Sequence, residues 1–233
     1  EVWVDDDYSA SNSGGHTWGY DAFSTINAGF SAVATDGTIN VADGDYTENI
    51  TVNKAVDLEG ENLPAVNGNE SPCFYVTAND VTISGFSAYN GGSGENANIV
   101  LDGVSGCTVT YNSLGLATAG IGLVAASNNT ISNNQCSSND YGIVLDESGD
   151  YGSTGNTLEY NQVNYNTYDG IYLGEFCNGN NLNANMCQQN GGSGIYLWKV
   201  VGNTVTGNTL TDNTDCGLHM FSAKNTTVTG NTI

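Results

Sequence analysis

Two carboxylates sit where they could work as a pair. Asp102 and Asp146 each follow directly on the leucine of a short recurring segment, Asn98-Ile-Val-Leu101 and Gly142-Ile-Val-Leu145. If such segments stack as strands at about 4.8 Å per step, the two aspartates stand two steps, about 9.6 Å, apart. An inverting glycosidase holds its acid and base about 6.5–9.5 Å apart, so this pair reaches the edge of that range. Two solvated acids on an acidic surface fit the same spacing. Other acids cluster as Asp5-Asp6-Asp7, as Asp43 and Asp45, and as Asp146, Glu147 and Asp150. Ca2+ takes several oxygen ligands at once, so these are the candidate metal ligands; diffuse counter-ion binding to so acidic a surface fits them better, and no cofactor is expected beyond such an ion. None of the clusters has EF-hand spacing. His16 and His219 are the 2 histidines and stand far apart in the sequence, which argues against imidazole-based metal or nucleophile chemistry.

A second group of residues suits contact rather than catalysis. Tyr172, Tyr196 and His219 occupy the same place in successive repeats, between two apolar residues, with Trp198 beside them. An outward stripe of this kind can stack on sugar rings or anchor a protein partner. The 6 cysteines include no Cys-x-x-Cys and suit an oxidising compartment. Cys136 and Cys187 share one repeat position two steps apart, too far for a disulfide, and read as buried apolar fillers. Cys73, Cys107, Cys177 and Cys216 fall near turns and are the disulfide candidates, within or between chains. The sequons at Asn49, Asn69, Asn128 and Asn225 are candidate glycosylation sites.

The elements that must position these residues are set by a repeat. Asn98-Ile-Val-Leu101 is followed by Gly120-Ile-Gly-Leu123, Gly142-Ile-Val-Leu145, Gly170-Ile-Tyr-Leu173, Gly194-Ile-Tyr-Leu197 and Gly217-Leu-His-Met220, at steps of 22, 22, 28, 24 and 23 residues. A second motif keeps register with the first, from Thr108-Val-Thr-Tyr-Asn-Ser-Leu114 to Thr227-Val-Thr-Gly-Asn-Thr-Ile233. Apolar residues alternate within each segment, as half-buried strands require. Strands this short cannot bury their apolar face alone, so the coils must stack in parallel, like residue over like residue. Asn112, Asn134, Asn161, Asn185, Asn208 and Asn231 fall at one repeat position, where an inward asparagine can bond its copies above and below. The expected fold is all-β, a right-handed parallel β-helix of roughly eight coils over residues 38–233. Residues 1–37 are expected to supply an N-terminal strand and a short capping helix, with Phe23, Ile26, Phe30 and Val33 at helical spacing.

Composition removes several functions. The chain of 233 residues carries 3 Lys+Arg against 25 Asp+Glu, a formal net charge of −22, and no arginine. Binding to nucleic acid or directly to anionic lipid needs clustered basic residues, so neither is expected as a partner. No apolar run approaches the ~18 residues of a membrane span. Acidity, scarce lysine and sequons favour an extracellular location after removal of a signal peptide.

The segment Val41-Ala-Asp-Gly-Asp-Tyr-Thr-Glu-Asn-Ile50, with the Gly-Ile-x-Leu coils, resembles parallel β-helix repeat proteins of the copper-maturation and carbohydrate-processing type. It is most similar to secreted surface proteins of methanogenic archaea, including sheath and surface-layer components. The resemblance implies the fold and is weak for activity, because this fold hosts lyases, hydrolases, epimerases, adhesins and coats. The arginine or lysine base of pectate-lyase-like enzymes has no counterpart. Asn213-Thr214-Asp215 matches one galacturonan-hydrolase segment, but the accompanying Asp-Asp, Gly-His-Gly and Arg-Ile-Lys are missing. The last coil stops on Asn231-Thr232-Ile233 with no polar cap. A self-assembling surface protein is therefore expected, its partner a second copy pairing through these end residues, with disulfides between copies as an option. The alternative is a carbohydrate-binding or polysaccharide-degrading module, a hydrolase rather than a lyase if it is an enzyme, with cell-surface glycans as partners.

Overall fold

The computed structural model describes residues 1–92 and 97–233. Three parallel sheets run the length of one solenoid. The first has eleven strands, from Ala22–Phe23 and Val2–Val4 through Gly37–Val41 to Thr227–Thr229. The second has eight from Ile50–Val52 at one end to Leu218–Phe221 at the other, with Tyr151–Gly152 pairing antiparallel beside them, and the third has six. Strand partners keep one register. Ile99, Ile121, Ile143, Ile171 and Ile195 stack in one column, and Leu101, Leu123, Leu145, Leu173 and Leu197 in another. Nearly all of these side chains are fully buried, so the core is a set of continuous apolar columns. The solenoid has about 10 turns rather than the eight expected. Val2–Val4 pairs directly with Gly37–Val41, so the N-terminal strand is itself a rung.

The helix α1, Ile26–Ala32, packs Ile26 and Phe30 against the first rungs. Its N-terminus is held twice. Thr25 Oγ1 accepts from the Ala28 amide, and the Glu48 carboxylate accepts from the amides of Ile26 and Asn27 at 2.8 and 2.9 Å. Glu48 belongs to the Val-Ala-Asp-Gly-Asp-Tyr-Thr-Glu segment, which thereby ties the helix to the second coil.

The corners explain the asparagines. At the corners that carry them, one residue adopts a left-handed conformation and an asparagine follows it. Asn133 (φ 55) precedes Asn134, Tyr160 (φ 56) precedes Asn161, and Ser138 (φ 60) precedes Asn139. The expected column forms a ladder. Asn161 Nδ2 donates to Asn185 Oδ1 at 2.9 Å and to the Ile131 carbonyl at 2.9 Å. Its Oδ1 accepts from both the backbone and side-chain nitrogens of Asn134. Two further ladders occupy the other corners, Asn129-Asn156-Asn180-Asn203 and Asn139-Asn166-Asn190-Asn213. Every buried amide of this kind is satisfied by the coil above or below, so polar side chains line the core edge without a desolvation penalty.

The cysteines correct an expectation. Cys73, Cys107 and Cys177 are buried in the core, like Cys136 and Cys187, and all six are free thiols. The inner side of a solenoid corner is core, so a position that reads as a turn can still point inward. Cys216 alone is exposed. Among the described residues no helix is long and apolar enough to cross a membrane.

Candidate functional site

The outward face of the second sheet carries the residues singled out for chemistry. Val144, Tyr172, Tyr196 and His219 lie on successive rungs of one column. Their rings touch in sequence. Tyr172 meets Tyr196 edge-on at 5.6 Å, and Tyr196 stacks on His219 at 4.4 Å and 9°. Tyr141 extends the row, 6.1 Å from Tyr172 and 5.2 Å from Tyr168. Trp198 stands beside the row in the neighbouring column, over Phe221, with the Lys199 ammonium 4.5 Å from its ring.

At the foot of this aromatic row the face sinks into a hollow of about 320 Å3. Ala97, Ala119, Gly122 and Val144 form an apolar floor, Tyr141 and Tyr172 one wall, and Asp146 and Glu147 the other. The floor exists because these outward positions carry small side chains while flanking rungs carry tyrosines. The acid wall comes from the 28-residue repeat, the longest step in the series. Its extra residues let Tyr141–Ser148 run on past the sheet and fold back on Tyr151–Gly152, which carries Glu147 over the face.

The Glu147 amide donates to Asp146 Oδ1 at 3.0 Å, and the two carboxyls lie close together. That contact, with some burial, raises the Glu147 carboxyl above the usual carboxylate range, so the pair holds a proton more readily than two separate acids would. Glu147 Oε2 is shielded from solvent and has no hydrogen-bond partner. Gly174 lies over the pair, and a Cβ there would come 2.7 Å from Asp146 Oδ1 and 3.2 Å from Glu147 Oε2. Burial, chiefly, also pushes the Tyr172 phenol up, with Asp146 adding to it. Further along the row Asp169 is half-buried, accepts from the Ser193 amide at 2.7 Å, and is raised by burial and then by Asp215.

The remaining expected residues fall elsewhere. Asp102 and Asp146 do share a column two rungs apart. Asp102, however, accepts a hydrogen bond from the Tyr75 hydroxyl and does not line the hollow. The partner of Asp146 is its neighbour Glu147, and two carboxyls on adjacent residues this close together fit neither glycosidase geometry. Asp150 is exposed in the turn and does not line the hollow. The Asp5, Asp6 and Asp7 oxygens come within 4.8 Å of one another. Two of these carboxylates already accept backbone amides, Asp5 from Asp7 and Asp6 from Asp45. Asn69, Asn128 and Asn225 are exposed, whereas the Asn49 side-chain amide is spent on the carbonyls of Gly68, Ser71 and Pro72 and is a poor glycan acceptor. Met220, Val228 and Ile233 on the last rung are exposed to 49%, 37% and 70%. The sequence alone does not bring Glu147, Tyr141 and Gly174 together as one site. The signal for it is the 28-residue step that carries the Asp-Glu pair.

Residues 6–150 and 47–233 match the family described as periplasmic copper-binding protein (NosD). The chain belongs to the NosD family. A cell surface glycoprotein of Methanothermus fervidus is 33% identical over 167 residues, which are 70% of this chain and 24% of that protein. The chain thus spans about a quarter of that curated relative. Pectate lyase Pel9A matches with a TM-score of 0.69 at 15% identity, over 97% of this chain and 76% of that one. The mannuronan C-5 epimerase AlgE4 A-module of Azotobacter vinelandii matches at 0.64 and 14% identity, over 98% and 87%. At these identities the two structures show the fold alone. Among the described residues no donor set fits the copper of the NosD description. Copper favours imidazole and thiolate ligands. His16 is stacked on Trp3 near the first rung, His219 lies on the last, and five of six thiols are buried. Among the described residues, the one group of three or more His, Cys, Asp or Glu whose donor atoms converge is Asp5-Asp6-Asp7, all hard oxygens.

Proposed function

We propose that this NosD-family chain works outside the cell, as a surface solenoid that holds glycan along the outer face of its second sheet. The observation that carries this reading is the aromatic row Tyr141, Tyr172, Tyr196 and His219 running without a break out of a hollow walled by Asp146 and Glu147. Aromatic faces stack on the C–H faces of sugar rings, and paired carboxyls hydrogen-bond vicinal hydroxyls. The relative named a cell surface glycoprotein supports the location. Binding rather than turnover suits the site, because Asp102 is held by Tyr75 and the remaining pair has neither glycosidase spacing. The test is retention of labelled cell-surface polysaccharide on immobilised protein. Tyr172→Ala and Tyr196→Ala should each reduce retention several-fold, and equal retention by both variants overturns the reading.

A further inference from the structure

We propose that the glycan held on this face is a neutral oligosaccharide chain lying along the solenoid axis, and not a polyuronate. This rests on the glycan reading and specifies its ligand. Both edges of the aromatic row are acidic: Asp140, Asp169 and Asp215 follow one side, Asp146, Glu147 and Glu175 the other. The one cation beside the row, Lys199, is already paired with Glu175 at 2.9 Å and seated on Trp198. A uronate chain would bring a carboxylate per sugar between these two acidic edges, with no free cation among the described residues of this face to meet it. A neutral chain meets no such repulsion and finds what it needs. Its C–H faces have the tyrosine row and the Ala97, Ala119, Gly122 and Val144 floor. Its hydroxyls have the Asp146–Glu147 pair, two adjacent carboxyls that line the hollow. The hollow lies at the small end of ligand-pocket sizes, right for one sugar ring, while the row continues over two further rungs, about 10 Å.

The experiment titrates the wild-type chain with cellohexaose, mannohexaose and hexagalacturonate at neutral pH, following tyrosine and tryptophan fluorescence and heat, at low and high salt and with and without Ca2+. At least one neutral hexaose should bind with an affinity that salt leaves unchanged, and hexagalacturonate should bind at least tenfold more weakly. Tyr172→Ala and Gly174→Leu, whose side chain would displace the acid pair, should each weaken the neutral ligand about tenfold or more, with circular dichroism confirming the fold. Hexagalacturonate binding as well as or better than the neutral chains, alone or through Ca2+, overturns the inference and leaves the glycan reading standing. Failure of all three ligands to bind overturns both.

Discussion

The asparagine ladders are the residues on which this chain most depends. Asn161 bonds the coil above through both its nitrogens and the coil below through Oδ1 and Nδ2, so its removal strands groups on two neighbours at once. Asn161→Ala should lower stability by about 3 kcal/mol or more, read from denaturant unfolding, since several buried polar groups lose partners together. A loss under about 1 kcal/mol would mean that water replaces the ladder. One ladder was legible because its asparagine sits at a fixed offset inside the second motif. The other two were not, because their asparagines lie next to other asparagines, threonines and glycines and read as turn punctuation. Thiols show the same limit. Burial pushes Cys73 and Cys177 up to about 12, and Cys136 and Cys187 higher still. A thiol reagent at neutral pH should therefore titrate one fast thiol, and Cys216→Ser should remove it. Fast reaction of a second thiol would show that a core column opens.

At the scale of the element, the glycine that opens each Gly-Ile-x-Leu strand sets how closely rungs approach at the corner. A Cβ on Gly170 would come 2.6 Å from the Gly194 carbonyl oxygen and 2.9 Å from Asn190 Nδ2. Neither neighbour can retreat, because one is backbone and the other is fixed in a ladder. Gly170→Ala should cost about 2–3 kcal/mol. Gly122→Ala, whose Cβ would meet only the Ala97 methyl at 3.4 Å, should be nearly neutral for stability while narrowing the hollow. The strand and its overhang also make a pH dependence. Glu147 and Asp169 both have folded-state pKa values above their ordinary ones. An acid shifted this way stabilises the fold fully below its unfolded pKa and loses that contribution as pH rises through the folded value. The melting temperature should thus fall as pH climbs above about 4.5, the ordinary glutamate value, and Glu147→Gln should flatten part of that fall. A variant that tracks the wild type at every pH would show that the pair holds no proton. Strand positions and their inward columns were legible from the repeat. The site was only half legible, since the overhang that brings Glu147 over the face depends on extra residues whose path a periodic pattern does not specify.

Across the whole molecule, charge opposes the fold that the columns build. The chain has a net charge of −22, and each rung lies about 4.8 Å from the next, so acids on neighbouring rungs fall within the Debye length of about 10 Å at 0.1 M salt. With 3 basic residues there is little internal neutralisation, and the solenoid carries a continuous field of one sign. A field of one sign repels polyanions, most strongly at low salt. Raising NaCl from about 10 mM to 0.3 M should therefore raise the melting temperature, most steeply below 0.1 M where screening changes fastest. Divalent cations separate a field effect from a site. Diffuse neutralisation treats MgCl2 and CaCl2 alike at equal ionic strength, whereas ligation by the converging Asp5, Asp6 and Asp7 oxygens would favour the larger, more flexibly coordinated Ca2+. Because two of these carboxylates are already engaged by backbone amides, the two salts should give equal shifts and Asp7→Asn should change neither. An extra shift with CaCl2 that Asp7→Asn abolishes would instead place a structural ion at the first turn of the solenoid.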